Sequence, residues 1–261
     1  LISHKIFKEI LSMRDYDDYQ IEITTLADVP AGTGLGSSGA FTVSVLKALS
    51  LYEGNYKDNI AIANEACHIE IERLNQPVGK QDQYASAIGG INEFIFHKDD
   101  TVEFNRLLLS EENRSYFEDS ILLFFTGYSR SASKILSEQD NLSKKSNSSI
   151  LKNLDEVKEM GITAKNLLLR GDVKQYGLLM HDHWQNKLKR SPNMCSEEIL
   201  NFYNEGINNG AIGGKLVGAG GGGFLMFISN DQNQLRRKML ELGLKELKFR
   251  LEYLGAQAIS Y

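Results

Sequence analysis

Phosphate chemistry is the first possibility the sequence raises. In PAGTGLGSSGAF, residues 30–41, Gly34, Gly36 and Gly39 stand at the spacing G-x-G-x-x-G, and Ser37 and Ser38 follow the second glycine. Glycines let backbone N–H groups converge on an anion, and a helix N-terminus adds partial positive charge. Ser37 and Ser38 are placed to donate to a phosphate or to reach a phosphate-bound Mg2+. A tight turn with serine caps is the bland alternative. A second glycine loop, GKLVGAGGGGFL, has five glycines among the six residues Gly218 to Gly223. Their backbone entropy cost points to close approach of a ligand or of the other loop. Carboxylates complete the set. Asp82 in VGKQDQY suits a helix N-cap or first turn, or a general base. Glu70 and Glu72 lie about 200° apart around a helix, so at most one of them faces a given site.

The flanking elements decide which phosphate chemistry is meant. YQIEITTLADVP alternates Ile21, Ile23 and Thr25 against Glu22 and Thr24, the period of a half-buried strand closed by Pro30. Helical spacing returns from Ser38 to about Leu51, so the glycines stand at a helix entry. A dinucleotide turn needs a continuously apolar strand before it and an acidic residue at the end of the next strand, and neither condition holds. A Walker loop needs G-K-[ST], but Lys215 is followed by Leu216. What remains is a phosphate cradle of another kind.

Further helices are expected over the start of the chain (LISHKIFKEILSM), residues 57–75, YASAIGG, 129–142, 150–169, 173–189, 196–208 and 232–242. A hairpin is expected in INEFIFHKDDTVEFNRLLL, and strands in SILLFFTG, Phe224–Ile228 and LKFRLEY.

Composition narrows the class. The 261 residues are 42% hydrophobic and 24% charged, enough for one large core or two modest ones. The net charge of −5, with scattered Lys and Arg, offers no footprint for a nucleic acid. No window approaches 18 consecutive apolar residues, so a membrane is not the expected partner, and a cytoplasmic enzyme is. Cys67 and Cys195 are too few and too distant for a disulfide framework.

The motifs together resemble a known family. PAGTGLGSSGA resembles the P-x-x-x-G-L-G-S-S-x-A motif of the GHMP kinases, and KLVGAGGGGF resembles their C-terminal glycine loop. The resemblance implies ATP phosphates bound by Pro30, Gly32, Gly34, Leu35, Gly36, Ser37 and Ser38. VGKQDQYASAIGG looks like the family segment bearing the catalytic aspartate, here Asp82. IEIER resembles the run that supplies the Mg2+ glutamate, which favours Glu72 beside Ser38 as metal ligands. The implied fold is α+β and two-lobed. Residues 1–117 would form an N-terminal lobe with a left-handed βαβ-type mixed sheet lacking its first strands, because the family's first strand-borne motif has no counterpart here. Residues 118–261 would form a ferredoxin-like C-terminal lobe.

Within the family, HIEIERLNQPVGKQDQYASAIGGIN, LLFFTGYSRSAS and HDHWQNKLKRSPN resemble the branch that phosphorylates the anomeric hydroxyl of a heptose 7-phosphate, in nucleotide-heptose biosynthesis. A kinase for another sugar such as fucose, or a non-catalytic sugar sensor, are the alternatives. A sugar phosphate acceptor asks for a second anion site. Gly218, Ala219, Gly220 and Gly221, with Arg130 and Lys187 or Arg190 as cations, are its candidates. A homodimer is the oligomer this reading allows.

Overall fold

The structure, a computed structural model, describes residues 3–14, 21–128, 148–189 and 194–259. It divides into two compact units: residues 1–31, 36–104 and 252–261, and residues 32–35 and 105–251. The second unit therefore takes in four residues of the first glycine loop, and the C-terminus returns to the first unit. A single boundary near Glu118 describes neither excursion.

In the first unit, α1 (Lys5–Ser12) buries Ile6 and Ile10 at a spacing of four, one helical face. The next helix, α2 (Ser37–Tyr52), starts at Gly36 in the left-handed region. Asp58 caps α3 (Asn59–Cys67) by accepting from the Ala61 amide. That helix continues as a π-helical turn over His68–Arg73, in which the Leu74 N–H reaches the Ile69 carbonyl. After it come α4 (Gln81–Ile88) and the hairpin of β1 (Asn92–Phe96) with β2 (Val102–Arg106). Leu46, Ile62, Ala66, Ile69, Tyr84 and Ala87 lie in the core of this unit. The Gly90 N–H donates to the Glu252 carbonyl and the Ala256 N–H to that of Ala87, tying the C-terminal stretch to the end of α4.

The second unit carries α5 (Glu111–Ser120), β3 (Ile121–Phe125), α6 (Ser148–Arg170), α7 (Val173–Leu188), α8 (Glu197–Asn208), β4 (Ala211–Leu216), β5 (Phe224–Ser229), α9 (Gln232–Glu241) and β6 (Lys245–Leu247). The antiparallel sheet runs β4-β5-β3-β6. A strand, helices, a strand pair, a helix and a last strand, ordered second–third–first–fourth, form the ferredoxin-like arrangement. Leu122 and Phe124 of β3 sit opposite Phe227 and Leu225 of β5. These four pack with Trp184, Ile199, Tyr203, Leu235 and Met239 from α7, α8 and α9 in one core. Period-two alternation thus gives the sheet its core face.

Three expectations change. Residues 21–30 form no strand, so no mixed sheet is present among the described residues of the first unit. Ile21 and Ile23 do pack on the core while their neighbours face solvent, so the alternation is real. A ladder also needs a partner strand, and none of the described residues supplies one. In LKFRLEY the alternation of burial likewise persists to Tyr253, yet only Lys245–Leu247 pair with β3. The helix α5 was not foreseen. It begins at Ser110, whose hydroxyl accepts from the Asn113 amide, with Glu111 and Glu112 in the first turn. The helix expected over 129–142 lies outside the described residues.

Candidate active site

In the first unit, α2, α3 and α4 bring five of the polar residues together. The N-terminus of α2 has no side-chain cap and no acidic residue in its first turn, so its leading N–H groups keep no side-chain acceptor among the described residues. Ser37 Oγ is buried there without a hydrogen-bond partner among the described residues. Ser38 Oγ donates to Glu70 Oε2. On the other oxygen, Glu70 Oε1 accepts from Gln83 Nε2 at 3.0 Å.

Glu70 is fully buried, and among the described residues no lysine or arginine pairs with it. A buried carboxylate held only by neutral donors is costly, and an arriving cation relieves that cost. Asp82 stands in the first turn of α4, against α2. A Cβ placed on Gly36 would lie 3.2 Å from Asp82 Cγ, and one on Gly39 would lie 3.0 Å from Asp82 Cβ and from the backbone nitrogen of Gln83. The missing side chain of Gly39 is what lets the two helix starts approach. The protein mass around Asp82, and secondarily the charge of Glu70, push its carboxyl above the usual range.

Glu72, the carboxylate preferred on the sequence motif, lies elsewhere. Its side chain is 69% exposed and pairs with His68 one turn away. The two glutamates are two residues apart and point to opposite sides, and it is Glu70 that meets Ser38. The sequence did contain the signal. Glu70 continues the buried stripe Ile62, Ala66 at intervals of four, where a lone acid on an apolar face marks an enclosed charge. Gln83 carries no such signal and was not anticipated. Cys67, beside this stripe, has its thiol pushed up to about 12 by burial and is an inert packing group.

In the second unit, Gly34 and Gly218 meet backbone to backbone. A Cβ on Gly34 would lie 2.7 Å from the Val217 carbonyl oxygen, and one on Gly218 would lie 2.6 Å from Gly34 Cα. Much of the glycine richness thus serves loop-on-loop contact. The Gly221 N–H donates to the Met194 carbonyl and the Gly223 N–H to that of Tyr128. The amides of Gly218, Ala219 and Gly220 make no hydrogen bond among the described residues, so part of this loop can still receive a ligand.

Lys187, expected to meet a substrate phosphate, is instead buried with its ammonium on the carbonyls of Gly218 and Leu216. It holds the loop. Arg130 and Arg190 lie outside the described residues. Positive φ recurs at Gly32, Gly34 and Gly36 (75°, 82° and 70°), a backbone conformation that favours glycine. Pro30 precedes these glycines and Leu35 stands between the last two, Pro30 exposed and Leu35 half-buried.

Known proteins are similar to this chain in sequence and in fold. A relative from Campylobacter jejuni subsp. jejuni serotype O:2, named D-glycero-alpha-D-manno-heptose 7-phosphate kinase, is 34% identical over 231 residues, covering 85% of this chain and 66% of its own length. The L-fucokinase/L-fucose-1-P guanylyltransferase of Bacteroides fragilis is 31% identical over 220 residues, covering 81% of this chain but 22% of its own. The chain thus spans just under two thirds of the first relative and a fifth of the second. Among solved structures, a D-glycero-D-manno-heptose 1-phosphate kinase from Bacteriodes thetaiotaomicron superposes with a TM-score of 0.73 at 26% identity, over 98% of this chain and 74% of that one. The model for the GHMP kinases N terminal domain matches residues 4–90 and that for the GHMP kinases C terminal matches residues 164–244. Their two matches, in order and with the fold, show that the chain belongs to the GHMP kinase family.

Proposed function

We propose that the protein is an ATP-dependent sugar kinase that phosphorylates the anomeric hydroxyl of a heptose 7-phosphate, giving the 1,7-bisphosphate. The observation that carries this reading is the buried Glu70 carboxylate held by Ser38 at the uncapped start of α2. The donor set suits magnesium and a nucleotide phosphate chain: hard oxygen ligands, with a Ser37 hydroxyl and helix-terminal amides that have no side-chain partner among the described residues. Glu70 and Ser38 would hold the ion, Ser37 and the first amides of α2 the phosphate oxygens. Magnesium, when bound, neutralises the charge spread over the transferring phosphoryl group.

Asp82, with its raised pKa, orients the acceptor hydroxyl and takes its proton. Beyond that, the site works by positioning, as phosphoryl transfer requires little covalent chemistry from a protein. The acceptor assignment rests on the 34% identity to the Campylobacter heptose 7-phosphate kinase. A cytoplasmic enzyme, with the homodimer as its allowed oligomer, belongs to the same reading.

One observation favours a second acceptor. Lys187 is committed to its own glycine loop, so among the described residues the candidate cation for a second phosphate is otherwise engaged, and a fucose-type sugar without a phosphate would not need it. Phosphorus NMR with MgATP and a panel of heptose 7-phosphate, other sugar phosphates and free sugars including fucose tests both. A new anomeric phosphate signal with heptose 7-phosphate supports the first reading. Turnover of free sugar alone replaces it with the second.

A further inference from the structure

We infer that Gln83 is a positioning residue: its amide fixes the Glu70 carboxylate so that the second oxygen is presented at Ser38, ready for a cation. This rests on the metal reading proposed above. Gln83 is 1% exposed, and its nitrogen donates to Glu70 Oε1 at 3.0 Å. Its own oxygen is buried and has no partner among the described residues. Turning the amide over would set that oxygen against a carboxylate oxygen, so the observed orientation follows from Glu70 itself. An unsatisfied buried acceptor is a cost that an apolar side chain of the same shape would avoid. Gln83 bears it in order to hold Glu70.

The neighbouring geometry serves the same contact. Gly39 leaves room for the backbone of Asp82 and Gln83 at the start of α4, and just past the π-helical turn the Gln76 N–H donates to the Glu70 carbonyl. Glu70 is therefore fixed at its backbone and at both carboxylate oxygens. Groups that orient a metal ligand typically change metal affinity by about 10–100-fold when removed.

The test is manganese binding, read by electron paramagnetic resonance, to the full chain in the presence of a non-hydrolysable ATP analogue. Gln83→Met, which keeps the shape and removes the donor, should weaken Mn2+ about 10-fold or more. In the Glu70→Gln background it should cause no further loss, because Gln83 acts through Glu70. If Gln83→Met does not fold, Gln83→Asn, which withdraws the amide by one methylene, is read in the same cycle. Wild-type Mn2+ affinity in Gln83→Met, with affinity lost in Glu70→Gln, overturns the role of Gln83 and leaves the metal reading standing. Undiminished Mn2+ affinity in Glu70→Gln overturns both.

Discussion

The Ser38 hydroxyl donates to the Glu70 carboxylate, joining the first turn of α2 to the π-helical end of α3. An enclosed anion and an uncapped helix start thereby share one place, where each disfavours the native state unless charge is balanced. Glycines at 36 and 39 admit Asp82 to the same place. The arrangement disfavours the protein alone and suits one that binds a cation with an anion.

Asp82 should show this conflict in both rate and stability. Asp82→Asn should lower the transfer rate by about 10²–10⁴-fold, since a positioned base is lost. The folded-state pKa of Asp82 lies above its ordinary value of 3.8. The charged form is therefore destabilising, a penalty absent below pH 3.8 and complete above the raised value. Thermal melts should show Asp82→Asn more stable than wild type at pH 8, with the difference shrinking toward pH 4. A lower melting temperature at pH 8 would show that Asp82 is a structural cap.

Gly218→Ala would force a side chain into the left-handed region, at φ 76°, and onto Gly34. The backbone conformation alone costs about 1–3 kcal/mol. Gly161→Ala is the control: it stands inside α6 with nothing within 4 Å of the added carbon, and should stabilise by about 0.5–1 kcal/mol. Calorimetry should move the two midpoints in opposite directions.

Lys187→Met separates two roles for one cation. Because the ammonium serves the carbonyls of Gly218 and Leu216, its removal should destabilise by about 1–3 kcal/mol. A phosphate ligand would instead give an unchanged melt and a raised KM for the sugar phosphate.

Where the sequence was legible, it was so for physical reasons, and it failed for physical reasons too. Periodicity located α2, the β1–β2 hairpin and β3 because their apolar residues follow the period of the element. It read residues 21–30 and 248–253 as strands because alternation reports a buried face and says nothing of a partner. It passed over α5, which buries little beyond Phe117 and announces itself only by its cap. β4 was hidden by Gly213 and Gly214, poor strand formers that are needed where Gly177 and Phe227 crowd in. Ser38 and Asp82, which the structure brings to the start of α2, could be singled out from motifs. The choice between Glu70 and Glu72 could not, because a motif fixes spacing while the turn of the helix fixes direction. Burial periodicity pointed to Glu70.

The central claim is that Glu70, and not Glu72, faces the start of α2 proposed to bind phosphate. Initial rates of phosphate transfer, followed by phosphorus NMR across a magnesium titration, test it in a matched pair of variants. Glu70→Gln should lose about 10²-fold or more, and Glu72→Gln should stay within about threefold of wild type, as an exposed charge paired with His68 would. The reverse order, with Glu72→Gln inactive and Glu70→Gln active, would contradict it.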